Sequence, residues 1–352
     1  MLRSINWRKW SSVVTKKGKG YPPAERDPTA YHGVSAGGKA SAPGWSDAFG
    51  EALCGLARED ARIVALTAAM KDGTGLGGFA KEFPQRFHDV GISEGHMVAF
   101  AAGLAAGGMR PVVAVYSTFL QRAVDQVMHD VCLPNLPVVF CVDRAGVVGA
   151  DGATHQGLYD IAMLRCLPNL TICQPRDKAD LEDLLREAMK RNGPTVIRYP
   201  RGALSGVQGE PTSVQGARVA IWATGDWLAK ARDVAARLAE TEPPVMCEVV
   251  HARYIKPFDA ELLSRQRAAG MAVATLENAA AAGGLGDAIG ADFRFGWPDE
   301  FVPHGATAEL ELRYGLDAES VAAKLAAAMA RQGAGRETQA NQTTKKQNNQ
   351  AT

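Results

Sequence analysis

Apolar residues in this chain fall in short, nearly unbroken runs of strand length, separated by segments where they recur at helical spacing. Ile63–Thr67 (IVALT), 111–116 (PVVAVY), 138–142 (VVFCV) and 195–199 (TVIRY) are runs of the first kind, with a shorter strand at 87–90. Between them the spacing predicts helices over 45–58, 94–106, 119–131 and 179–191. Strands without inside-outside alternation, each followed by a helix, predict an α/β fold whose mostly parallel sheet is covered on both faces.

The pattern then repeats on a smaller scale. Strands at 218–223, 245–250 and 271–276 alternate with helices at about 227–240 and 259–269, and an Ala-rich amphipathic helix follows at 318–330. Two stretches poor in large residues separate these blocks: 34–45, containing SAGGKASAPG, and 203–216, ALSGVQGEPTSVQG. The expected organisation is an interdomain segment and linker (1–44), a first α/β domain (45–202), a linker (203–217), a smaller α/β domain (218–331) and a disordered polar tail (332–352). The Gly-rich run AAAAGGLGDAIG at 279–290 lacks the G-x-G-x-x-G spacing of a dinucleotide site and reads as a glycine turn packing a helix.

Charge narrows the function. Lys plus Arg total 39 against 38 Asp plus Glu, which gives no electrostatic case for nucleic acid or an anionic membrane surface. No run approaches the roughly 18 apolar residues of a membrane span, and MLRSINWRKW at the start has no apolar signal core. Cys54, Cys132, Cys141, Cys166, Cys173 and Cys247 are scattered without C-x-x-C spacing, so they read as buried thiols of a reducing compartment. The expectation is a cytoplasmic protein that handles small molecules.

Chemistry collects at the carboxyl ends of the strands, where open α/β sheets bind ligands. The strand at 87–90 leads through Gly91 to Glu94 in the first turn of a helix; PVVAVY ends at Tyr116, with Phe119, Gln121 and Arg122 just beyond. VVFCV ends at Asp143 and Arg144 and runs into AGVVGADGATHQG, which carries Asp151, Thr154 and His155. Each residue also has an ordinary explanation. Ser93 could cap the helix with Glu94 complementing its dipole, Phe119 could be core, Asp151 could close an Asx-turn, and a surface Arg is usually just solvated.

Taken together, GISEGH, YSTFLQR, DRAGVVGADGATHQG and RYPRG (198–202) resemble the 1-deoxy-D-xylulose-5-phosphate synthases, thiamine-diphosphate enzymes related to transketolase. TKKGKGYPPAERDPTAYHGV, TAAMKDGTGL, YIKPFD, TLEN and PDEFVPHG extend the similarity from about 13 to 330. The resemblance implies a pyrimidine-binding domain followed by the family's C-terminal domain. Glu94 matches the glutamate that exchanges a proton with the cofactor's aminopyrimidine, making it both catalytic and cofactor-binding; Phe119 matches the aromatic residue packed on that ring, and Arg122 takes a supporting role. Tyr116, Arg144 and Arg201 match groups that hold the acceptor aldehyde and its phosphate, a task suited to the charged guanidinium fork. Asp151 and His155 match an acid and an imidazole near the reacting carbons and substrate hydroxyls. No metal ligand is expected in this chain.

Three departures from the family pattern matter. Ser12 stands where the family has a cofactor-facing His, although His32 is retained, and Gly95 replaces a common Gln. The G-D-G motif that holds the diphosphate through Mg²⁺ is also missing, the nearest candidates being KDG at 71–73 and ADG at 150–152. The expectation is therefore a pyrimidine-binding and C-terminal part that needs a separately encoded diphosphate-binding chain, in a homo- or hetero-oligomer. It would condense pyruvate with D-glyceraldehyde 3-phosphate with loss of CO₂, and would be inactive alone. A split transketolase-type or 2-oxo acid dehydrogenase-type subunit, and a non-catalytic relic or binding module, stay open as alternatives.

Overall fold

The structure, a computed structural model, describes residues 14–26, 31, 43–204 and 214–331. Ser12, His32, most of the first linker, the centre of the second and the tail lie outside the described residues. The chain divides into two units, 1–41 and 42–352. In the first, an exposed turn over 17–20 leads into a short helix, Pro22–Arg26, and Lys16 Nζ pairs with Glu25 Oε2 at 2.5 Å.

The second unit holds two sheets. The larger has seven strands in the order β2-β1-β3-β4-β6-β5-β9, with β1 Ile63–Thr67, β2 Phe87–Asp89, β3 Arg110–Tyr116, β4 Val139–Asp143, β5 Thr171–Cys173, β6 Thr195–Arg198 and β9 Tyr254–Lys256. β1 to β6 run parallel, and β9 adds to the β5 edge antiparallel. The smaller sheet is wholly parallel, in the order β11-β10-β7-β8, with β7 Val219–Ala223, β8 Cys247–His251, β10 Ala272–Ala280 and β11 Phe293–Trp297. The mostly parallel α/β architecture expected from the sequence is the one observed.

Successive residues of the central strands enter different cores, as the pleat requires. Ile63, Ala65, Val112, Ala114, Val139 and Cys141 pack with Phe49, Leu53, Leu181 and Leu185 of the helices Trp45–Glu59 and Lys178–Lys190. Val64, Leu66, Val113, Val115, Phe140 and Val142 face the other way, onto Met97, Val98, Ala101 and Ala105 of the helix Glu94–Ala106. Trp222, Val250 and Val273 of the smaller sheet belong to that same second core, so the two sheets share buried apolar surface.

Three short strands escaped the sequence reading. β5 is three residues between polar turns, and β9 and β11 are mixed apolar-polar segments whose strand state comes from a neighbouring edge rather than their own pattern. The helix expected over 119–131 is corrected: it is a broken chain of turns, α over Ser117–Leu120, 3-10 over Gln121–Ala123, α over Val124–Gln126 and π over Val127–Cys132. The cysteine expectation is corrected at one position, since Cys166 is exposed while the other five are buried; all six are free thiols. Among the described residues no helix is long and apolar enough to cross a membrane.

Candidate active site

The strand order turns back on itself at β1, with β2 on one side and β3 on the other, which makes the crevice beyond these strands the topological switch point of the sheet. Parallel register brings the chemistry to one edge. Tyr116 at the end of β3 lies opposite Asp143 at the end of β4, and Val142 lies opposite Arg198 at the end of β6.

Glu94 is delivered by a tight turn. Asp89 Oδ1 accepts from the amides of Ala69 (2.8 Å) and Gly91 (3.0 Å), and Gly91 takes the left-handed φ of 70° the turn demands. The helix then begins at Glu94 itself, and Ser93 makes no side-chain cap. The carboxylate does more than complement a dipole: it is 3% exposed and accepts a 2.5 Å hydrogen bond from Arg122.

From Arg122 the contacts continue through the candidate residues. Its guanidinium carbon lies 4.8 Å from the Phe119 ring centroid. Phe119 stacks on Tyr116 (5.8 Å, 22°) and meets the His155 ring edge-on (5.4 Å, 74°). Over the Tyr116 ring, at 3.7 Å, sits the Arg144 guanidinium, which donates to Gly73 O at 2.8 Å and contacts Asp143 Oδ1 at 3.2 Å. Arg144 holds a φ of 59°, unusual outside glycine and the kind of strain that collects at functional sites. Asp151 forms an ion pair with Arg201. His155 Nδ1 lies 2.9 Å from the Thr154 hydroxyl. The structure therefore joins Glu94, Arg122, Phe119, Tyr116, Arg144 and His155 in one network. The Asp151–Arg201 pair stands beside it, its charges reaching the Tyr116 hydroxyl, whose pKa is raised chiefly by burial.

Alongside lies a cleft of about 470 Å³, walled by Phe119, Arg122, Thr154, Gln156, Tyr159 and Phe301, among others. Phe119 and Arg122 are the candidates that line it; Glu94, Tyr116, Arg144, Asp151, His155 and Arg201 are not among its walls. Phe301 comes from the segment PDEFVPHG of the second block and is 83% exposed.

The burial of some charged groups here escaped the sequence reading. Asp143 is wholly buried, takes a 2.6 Å bond from Ser46 Oγ and is pushed up to about 6, chiefly by burial, with Arg144 and Ser46 opposing. Arg198 and Asp160 form a fully buried, two-pronged pair (3.0 and 3.1 Å) beneath the cleft. Charged residues are mostly solvated, so the sequence offers no sign that these are not.

Comparison with known proteins gives the family. The family described as transketolase, pyrimidine binding domain matches residues 41–206, and the transketolase C-terminal domain matches 211–321. The 1-deoxy-D-xylulose-5-phosphate synthase 1 of Geobacter sulfurreducens is 46% identical over 92% of this chain and 55% of the relative. The 1-deoxy-D-xylulose-5-phosphate synthase of Polaromonas sp. is 47% identical over 93% and 55%. The chain thus spans about half the length of the curated relatives it matches. Among solved structures, a split-gene transketolase described as an inactive beta4 tetramer superimposes with a TM-score of 0.69 at 31% identity, covering 79% of this chain and 95% of that one. The Campylobacter jejuni transketolase, at 19% identity, shares the fold with a TM-score of 0.71 over 80% of this chain and 46% of its own.

Proposed function

The chain belongs to the transketolase family of thiamine-diphosphate enzymes, and from that premise we propose that it is the pyrimidine-binding and C-terminal part of a 1-deoxy-D-xylulose-5-phosphate synthase. A separately made diphosphate-binding chain completes the site. The observation that carries this reading is the unbroken contact from Glu94 through Arg122, Phe119 and Tyr116 to Arg144 at the sheet's switch point.

The residues present fit the pyrimidine end of the cofactor. A buried carboxylate lies beside a cleft wall that carries an aromatic ring, the donor set a flat, proton-exchanging heterocycle needs. With the cofactor bound, Glu94 would exchange a proton with the ring, Phe119 would pack on it, and Arg122 would hold the Glu94 carboxyl in place through its hydrogen bond. When bound, thiamine diphosphate supplies the carbanion chemistry, and the protein supplies orientation and electrostatics. The G-D-G motif that holds the diphosphate through Mg²⁺ does not occur in this sequence, and on this reading the partner chain supplies it.

On this reading Arg144 and Arg201 hold the phosphate of the acceptor, D-glyceraldehyde 3-phosphate, and Tyr116, Asp151 and His155 address its carbonyl and hydroxyls as pyruvate loses CO₂. The domains run over 45–202 and 218–331, and the oligomer is cytoplasmic and feeds isoprenoid and thiamine synthesis. The inactive state of the split-gene relative when it stands as a tetramer of one chain supports inactivity of this chain alone.

The test is CO₂ release from pyruvate and glyceraldehyde 3-phosphate, with this chain, a candidate diphosphate-binding chain, thiamine diphosphate and Mg²⁺. Release that needs both chains is expected. A folded chain that forms no complex and supports no release refutes the proposal.

A further inference from the structure

The loop bearing Arg144, Asp151 and His155 is held from the second block as well as by its own domain, where the Ala145 amide donates to Tyr199 O and Thr118 Oγ1 donates to Thr154 O, both at 3.0 Å. Its neck is closed by two hydrogen bonds between Gly146 and Gly157 (2.7 and 2.8 Å). Just inside the neck, the Val147 amide donates to Asn278 Oδ1 on β10 at 3.1 Å, and the same oxygen accepts from Trp297 Nε1 on β11 at 3.0 Å. All three residues are buried. The main-chain oxygen of Asn278 accepts from Arg198 at 3.1 Å. On the returning limb, Leu158 O accepts from the Ala280 amide at 2.9 Å and Gln156 Nε2 donates to Pro303 O at 3.1 Å, while Gln156 Oε1 takes the Val148 amide at 2.7 Å. Asn278 sits so tightly against the neck that a Cβ on Gly146 would fall 2.3 Å from its amide carbon.

We propose that Asn278 is a positioning residue for the site: its side-chain oxygen fixes the neck of the 144–157 loop and so sets where Arg144, Asp151 and His155 stand. The C-terminal domain thereby acts on the chemistry without touching substrate. The kinetic consequence rests on the function proposed above; the anchoring itself does not.

Two variants of similar shape separate the possibilities. Asn278→Asp keeps an oxygen for both donors, and Asn278→Leu leaves the Val147 and Trp297 N–H groups unpaired in the interior. In the full-length chain, hydrogen exchange read on the peptide around Val147 should be slow in wild type and Asn278→Asp and faster by about tenfold in Asn278→Leu. In the two-chain enzyme, Asn278→Leu should raise KM for the phosphorylated acceptor by about tenfold with a smaller change in kcat, and Asn278→Asp should stay within about threefold of wild type. Fast Val147 exchange in wild type overturns the anchor, even if Asn278→Leu fails to fold. Wild-type kinetics from a folded Asn278→Leu enzyme overturn its role in the site, and an Asn278→Asp enzyme as impaired as Asn278→Leu overturns the oxygen as the basis. If the wild-type pair shows no turnover, the functional reading falls and the exchange comparison alone decides the anchor.

Discussion

Arg122 donates a 2.5 Å hydrogen bond to Oε1 of Glu94, so a carboxylate with 3% of its surface exposed is held by a guanidinium about half open to the cleft. The arrangement places a buried carboxyl in the first turn of a helix against a partly exposed guanidinium. The exposed side of Arg122 and the ring of Phe119 together form part of the wall of the cleft.

Replacing Glu94 with Gln preserves the shape and an oxygen for Arg122 but removes the acid–base group. Turnover in a reconstituted two-chain enzyme should fall by about 10²–10⁴, the usual worth of a positioned acid or base. Far-ultraviolet circular dichroism should be unchanged, because Arg122 remains in contact with solvent. Activity within a few-fold of wild type would remove Glu94 from its assigned role.

The buried pair beneath the cleft makes a stability prediction. Arg198 is inaccessible and satisfies Asp160 with two bonds, Gln174 Oε1 at 2.5 Å and Asn278 O. Arg198→Met strands the Asp160 carboxylate, and breaking such a pair from one side costs about 3–5 kcal/mol. Removing both charges, as Arg198→Met with Asp160→Leu, should cost clearly less than the sum of the single losses. Urea unfolding of the four chains reads this directly; additive losses would mean the pair is not coupled.

The uninterrupted strands were legible because burial on both faces demands them: Ile63–Thr67 begins and ends where the apolar pattern says, and the helix Glu94–Ala106 likewise keeps its expected bounds. The break after Phe119 was not legible, because Gln121, Arg122 and Asp125 fit a helix surface as readily as a set of turns that aims Arg122 back at Glu94. The contacts of Asn278 and Phe301 were invisible for another reason. Each residue lies more than a hundred residues from the loop it meets, and nothing in local spacing reports a contact made by domain packing. Family resemblance supplied Glu94, Phe119 and the arginines, while local chemistry supplied only the strand ends on which they stand.

Arg144 and Arg201 present planar forks at the same sheet edge, one over the Tyr116 ring and one on Asp151. Lys keeps the charge of either residue but not its two parallel donors. Arg144→Lys and Arg201→Lys should therefore each raise KM for the phosphorylated acceptor by about tenfold, with little change in the KM for pyruvate. Initial rates with each substrate varied separately test this. An equal rise for both substrates would argue against phosphate recognition by these residues.

Asp143 makes a prediction whose sign is fixed by its surroundings. It is completely buried, accepts a hydrogen bond from Ser46 Oγ, and its Oδ1 meets Arg144 Nη1 as an ion-pair contact at 3.2 Å. Burial outweighs Arg144 and Ser46 and lifts its pKa from 3.8 to about 6. Between these values the folded chain binds the proton more tightly than the unfolded chain, so the stability this group contributes is fully present below about pH 4 and is lost as pH rises through about 6. At about 1.4 kcal/mol per pKa unit, the loss is on the order of 2–3 kcal/mol. Asp143→Asn cannot titrate and keeps an acceptor for Ser46, so its unfolding free energy relative to wild type should improve by about that amount between about pH 4 and about pH 7.5. Glu277 and Asp226, pushed up to about 7 and about 6 by burial, titrate in both chains and cancel in the difference. Urea titrations of the two chains at both pH values decide it: a gap that does not change with pH would show that the Asp143 carboxyl is already ionised throughout, with Arg144 rather than burial setting its charge.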